Sequence, residues 1–354
     1  MIGVVDDSLA QQVPSSAQLL VGISRLAGFD AVTLSALWER GRTTLRRTNL
    51  RALRNVAAAT RQDHMKLFLV VGHGLSATTQ RDSHERSQFA QFSANVVREV
   101  PGLTALIVDN EPNLPFFWKP QFDSGGHDVA ATAYEDLLAR TYDAVKGAAP
   151  SVRVIGGGLA PRGTDDPHRL RTHSPTAFIH DLGAAYRASG RSAPLMDAFA
   201  IHPYMRPHEP PTTAHPGTTQ ITVADYPKLV TLLDEAFRGT HQRGRTLPIY
   251  YTEFGVQTVI PRSKRSLYTA GTTPKAELGV SAATQAAYYR EALALAYCQP
   301  TVKGLFVFHT FDEPNLDGWQ SGLYYDDRTP KPSLRGFRGA VSALRKGRLT
   351  NCRG

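Results

Sequence analysis

The chain runs to 354 residues, 42% of them hydrophobic and 20% charged, too long for a small disulfide-stapled scaffold and too apolar for a disordered chain. Its formal net charge is +9, with nine Lys and 31 Arg. These are scattered and no nucleic-acid motif accompanies them, which argues against a nucleic-acid partner and leaves an acidic polysaccharide open. No stretch approaches the ~20 apolar residues of a membrane helix, so no membrane partner is expected.

The chain alternates apolar runs with helix-like segments. Ile2–Val5 reads as a strand, followed by a helix over Ser16–Leu26. The next pairs are Phe29–Leu37 with Leu50–Ala59, Lys66–Val71 with Glu85–Arg98, and Leu103–Val108 with Ala130–Gly147. Val152–Ile155 precedes Thr176–Ala188, Met196–Ile201 precedes Ala224–Arg238, Leu247–Tyr251 precedes Ala282–Tyr297, and Val302–Phe308 precedes Ser333–Arg345. The strands are near-continuous apolar runs, as when both faces are buried. Strict alternation means parallel βαβ units, and eight of them predict a single (β/α)8 TIM barrel with long βα loops. A doubly wound sheet would carry a phosphate loop after an early strand; Gly156-Gly157-Gly158 follows the fifth strand without that spacing and reads as a turn where backbone comes close. The expected organisation is one domain over residues 1–354 with a C-terminal tail at 346–354. The longest loops, Asn113–Asp128, Pro161–Ser174, Arg206–Val223 and Gly255–Gly279, all follow strand C-termini, where barrels build their sites.

Polar residues break the apolar runs at those ends. Only 11 of the 31 acidic residues are Glu, and two stand out. Strand four ends in Asp109-Asn110-Glu111-Pro112, and strand seven in Tyr251-Thr252-Glu253-Phe254-Gly255. Carboxyls at these two ends project toward the barrel axis, where they can sit about 5–5.5 Å apart, the separation for retaining glycoside hydrolysis. His202-Pro203-Tyr204 ends strand six, and His309-Thr310-Phe311-Asp312-Glu313 ends strand eight. Asp109 alternates to the opposite side from Asn110 and reads as structural.

With these motifs on these strands, the chain resembles glycoside hydrolase clan A, the retaining β-glycosidase barrels of the cellulase family 5 and family 39 kind. The resemblance covers the whole chain as architecture. Its motifs are Asn110-Glu111-Pro112, His202-Pro203-Tyr204, Tyr251–Gly255 and the Trp319 region. It implies Glu111 as general acid/base and Glu253 as nucleophile, with Asn110 on the sugar 2-hydroxyl. It implies Tyr204 donating to Glu253, His202 lining the site near both carboxyls, and Trp319 stacking on a sugar face. Trp38 and Trp118 are further candidates for stacking, and Asp6, Asp7 and His73 for contacts to a terminal sugar. Glu313, in a second Glu-Pro-Asn, can bind sugar hydroxyls, cap a turn, or replace Glu253 as partner of Glu111.

The implied function is hydrolysis of β-glycosidic bonds in an oligo- or polysaccharide by double displacement. The alternatives are a transglycosylase using the same residues and a carbohydrate-binding barrel without catalysis. This chemistry needs no cofactor. There is no His-x-His on strand one, no HExxH, no GxSxG and no Walker loop, so no metal site is expected either. The partner is a carbohydrate, and the chain is expected to act as a monomer. Cys298 and Cys352, near the ends of the last two helices, can form a disulfide that ties down the tail or stand as two separate thiols. The chain opens directly into a strand with no leader-like run, which suggests a secreted or extracytoplasmic protein whose leader has been removed, with a cytoplasmic location as the alternative.

Overall fold

The computed structural model describes residues 1–73, 82–269, 279–349 and 352. Eight parallel strands close into a barrel in sequence order, each followed by a helix on the outside. The pairs are β1 (Ile2–Val5) with α1 (Pro14–Ala27), β2 (Ala31–Trp38) with α2 (Arg47–Gln62), β3 (Lys66–His73) with α3 (Ser83–Glu99), and β4 (Leu103–Val108) with α4 (Ala130–Ala148). They continue with β5 (Arg153–Leu159) and α5 (Pro175–Ala188), β6 (Ala198–Ile201) and α6 (Tyr226–Phe237), β7 (Ile249–Phe254) and α7 (Ala282–Cys298), and β8 (Val302–Phe308) and α8 (Ser333–Arg345). The expected (β/α)8 TIM barrel is the architecture found.

Side-chain alternation builds two cores. Val5, Phe68, Ile107, Ile155, Tyr250 and Phe306 fill the barrel interior. Their strand neighbours, among them Val4, Leu69, Leu106, Val154, Tyr251 and Val307, pack outward against the helices. Helix starts follow capping chemistry. Asp82 accepts a hydrogen bond from the Glu85 amide at the head of α3, Ser174 from Ala177 at α5, and Ser281 from Thr284 at α7.

Two strands run three or more residues further than the sequence predicts, and both differences shape the site. β5 continues through Gly156, Gly157 and Gly158 instead of turning there. Gly157 has φ +93°, and a Cβ on it would lie 2.5 Å from the Ala200 carbonyl oxygen, so the glycines serve a close strand approach within the barrel wall. β7 continues to Phe254, and its register against β8 slips. Tyr251 pairs with Leu305 but Phe254 pairs with Val307, so three steps face two. This bulge bends the strand end just where Glu253 sits.

The tail beyond α8 is described at residues 346–349 and at Cys352; the rest of the expected 346–354 segment lies outside the described residues, as does 270–278 of the loop after β7. Cys352 is disulfide-bonded to Cys298 at the end of α7, with the Cα atoms 5.3 Å apart. No helix among the described residues is long and apolar enough to cross a membrane.

Candidate active site

The strand C-termini open onto a cleft of about 1200 Å³, larger than the ~300–1,000 Å³ of typical small-ligand pockets. Glu111 and Glu253 line it from β4 and β7, with Asn110, Tyr204 and Trp319 beside them.

Glu111 reaches the cleft through a distorted backbone. Asp109 has φ +64° and Glu111 φ +42°, a left-handed conformation that non-glycine residues enter only when their surroundings impose it. Those surroundings are visible. The Asp109 amide donates to Val71 O at 2.7 Å and the Glu111 amide to Gly158 O at 3.0 Å. Asp109 is buried and accepts from its own neighbour, the Asn110 amide, at 2.9 Å. Its carboxylate also faces His73 Nδ1 at 3.2 Å. The Asp109–His73 pair therefore joins the ends of β3 and β4 and supports the turn that presents Asn110 and Glu111.

His202 holds the two carboxyls together. The ring is buried, and its backbone amide donates to Leu159 O at 2.8 Å. Nδ1 lies 3.0 Å from Glu111 Oε1 and 3.5 Å from Glu253 Oε2. The two oxygens are thus at most about 6.5 Å apart, the sum of those distances. With both carboxyls ionised, Nδ1 carries the hydrogen; with Glu111 protonated, Nδ1 can accept from it instead. The Tyr204 hydroxyl donates to the same Glu253 oxygen at 3.0 Å.

Burial raises the Glu253 carboxyl above its ordinary range against the pull of His202; the charge of Glu111 adds to the rise and the Tyr204 hydrogen bond opposes it. Burial alone would lower His202, but the charges of Glu253 and Glu111 outweigh it and hold the imidazole above its usual value. Glu253 and His202 each therefore hold a proton more readily than they would in water.

The aromatic candidates separate. Trp319 is half-buried, lines the cleft and packs on Tyr204 and Phe308 with ring centroids 5.1 and 5.4 Å apart. Trp38 and Trp118 are not placed to stack on a sugar. Trp38 is 4% exposed, donates from Nε1 to Arg42 O and packs against His73 and Phe89. Trp118 is 3% exposed and packs edge-on against His73 and Tyr134. Both rings fill the space behind the β3–β4 ends, and Phe116 and Phe117 line the cleft instead.

Glu313 lines the cleft, but its Oε2 accepts from the Trp319 amide at 3.1 Å, so it anchors the Trp319 loop. It is His202 that pairs Glu111 with Glu253, and no such link joins Glu111 to Glu313 among the described residues. Asp6 is buried and caps the barrel mouth, accepting from the Ser8, Thr310 and Phe311 amides. Asp7 takes the Ser35 amide at 2.6 Å and stays open to the cleft.

Sequence reasoning passed over two features. Arg162, in the loop after β5, lines the cleft and donates to Tyr204 O at 3.0 Å. Beneath the Trp319 loop, Lys331 and Asp312 form a fully buried ion pair at 2.6 Å. Lys331 also donates to Thr258 Oγ1 and Gln320 O, and Tyr268 donates to Asp312. The network ties the loops after β7 and β8 together. Its members are far apart in sequence and carry no motif. Among the described residues no cluster of three or more His, Cys, Asp or Glu side chains is arranged to hold a metal ion.

No family model matches the chain, and no curated protein matches it by sequence. Solved structures do. A GH5_18 variant from Streptomyces cattleya in complex with Manb1-4GlcNAc superposes with a TM-score of 0.65 at 17% identity, over 100% of this chain and 82% of that one. The GH53 catalytic domain of Ignisphaera aggregans gives 0.62 at 16% identity, over 95% and 94%. The exo-beta-1,4-mannosidase Op5Man5 from Opitutaceae bacterium strain TAV5 gives 0.60 at 14% identity, over 99% and 60%. At these identities the likeness is one of fold: the chain has the TIM-barrel architecture that these clan A glycoside hydrolases share.

Proposed function

We propose that the protein is a retaining hydrolase of β-glycosidic bonds, with Glu253 as nucleophile and Glu111 as acid/base. Glu253 attacks the anomeric carbon while Glu111 gives its proton to the leaving oxygen. Glu111 then takes a proton from water, whose oxygen releases the sugar from Glu253. The observation that carries this reading is the single His202 nitrogen within reach of both carboxylates, with the Tyr204 hydroxyl on the same Glu253 oxygen. That bond occupies Oε2 and leaves Oε1 of Glu253 for attack. Asn110, beside Glu111 at the cleft wall, is suited to the sugar 2-hydroxyl, and Trp319 to a sugar face.

The disulfide supports an extracytoplasmic location, since such bonds persist in oxidising compartments. The chemistry is complete within one chain, which supports action as a monomer on a carbohydrate partner without a cofactor.

The reading is tested on aryl β-glycosides. Glu253→Gln and Glu111→Gln should each lower kcat by ~1,000-fold or more. Azide should restore turnover in Glu111→Ala, by replacing water in the second step, but not in Glu253→Gln. Full turnover by Glu253→Gln on a substrate of the wild type would refute the assignment.

A further inference from the structure

The cleft is polarised in charge although the molecule as a whole is basic. On the hydrolase reading, which this inference extends, Glu111 protonates the leaving group, so the leaving group lies on the β4 side. The sugar that becomes attached to Glu253 lies toward β7, β8 and β1. That side carries carboxylates. Asp7 follows β1 and opens to the cleft with its backbone-anchored side chain. Glu253 ends β7. Glu313 follows β8, 39% exposed, with Oε1 3.9 Å from His309 Nε2. Asp317, exposed on the same loop, adds a further charge.

Among the described residues, Lys and Arg side chains do not offset this wall. The Lys and Arg among the described residues lining the cleft are Arg162 and Arg206, on the loops after β5 and β6, where Glu209 also lines it. Arg162 sits against Tyr204 O and within the field of Glu111, on the leaving-group side. His309 lies among the carboxylates, but burial lowers it to about 4, so it adds no positive charge near neutral pH.

We propose that the glycone end of the cleft takes a neutral, hydroxyl-rich pyranose and rejects a uronate, through the carboxyl groups of Asp7 and Glu313 on either side of Glu253. Sugar hydroxyls donate to carboxylates, and such charge-assisted hydrogen bonds are the strong ones. A sugar carboxylate would add a like charge in a half-buried site, where charges interact more strongly than in water.

The test is a matched set of 4-nitrophenyl β-glycosides: glucoside, mannoside, galactoside and glucuronide. In parallel, calorimetry measures binding of glucose, mannose, galactose and glucuronate to the wild type. The best neutral glycoside should exceed the glucuronide by at least about 100-fold in kcat/KM. Asp7→Asn and Glu313→Gln should each narrow that ratio by roughly tenfold. A glucuronide cleaved as well as the best neutral substrate overturns the inference and leaves the hydrolase reading standing, as does a ratio unmoved in both variants. If no glycoside is cleaved, the hydrolase reading fails and calorimetry decides alone. Preferential binding of a neutral sugar then upholds the neutral subsite. Equal or tighter binding of glucuronate, or no binding of any sugar, overturns it.

Discussion

His202 places one ring nitrogen, Nδ1, within reach of both Glu111 and Glu253. That arrangement brings the two acids together, and its ingredients are legible because each falls where an apolar run meets a polar residue at a strand end. What periodicity cannot supply is the backbone at Asp109 and Glu111, whose positive φ angles depart from simple strand alternation. Nor can it separate a buried Trp from a cleft-lining one: Trp38 and Trp118 differ from Trp319 only in what the folded chain puts around them. His309 provides a test at this scale. Burial lowers it to about 4, against about 6.5 in an unfolded chain. Between those values the unfolded state binds more protons, so this group's contribution to stability is present above pH 6.5 and is lost as the pH falls to 4. Thermal melts from pH 7 to pH 4 should show a smaller fall in Tm for His309→Asn than for the wild type. Parallel curves would contradict the assignment.

The strands and helices follow from patterns of apolar residues, and their caps from Asp82, Ser174 and Ser281. The departures have tertiary causes. β5 runs through its glycines because β6 packs too closely for any Cβ at Gly157. β7 carries Glu253 inside the strand because its register slips against β8. The loops are held by contacts that no local pattern encodes, above all the buried Lys331–Asp312 pair between the loops after β7 and β8. Removing one partner leaves an uncompensated buried charge, at a cost of about 3–5 kcal/mol. Lys331→Met should therefore lower stability by that amount in denaturant melts. It should also lower activity, because Lys331 holds the Gln320 carbonyl next to Trp319. The double variant Lys331→Met/Asp312→Leu should recover part of the stability. A single variant as stable as the wild type would show that the pair does not hold the loops.

At the scale of the whole molecule, the barrel is legible because eight repeats of one pattern admit few other folds, and the +9 charge is legible only as a total. The structure distributes it. Arg47, Arg51, Arg54 and Arg61 are exposed along α2, on the outside of the barrel, while the charged side chains that line the cleft among the described residues are mostly acidic. Surface basicity and cleft chemistry are thus separate properties, and on the proposed reading only the second bears on the glycosidic bond. For that bond, the most direct measurement is the configuration of the product, followed by proton NMR from the first turnovers on a β-glycoside. Double displacement through Glu253 predicts that the β-anomer appears first and the α-anomer only later, by mutarotation. Initial formation of the α-anomer would contradict a nucleophilic Glu253 and the paired-carboxylate account with it.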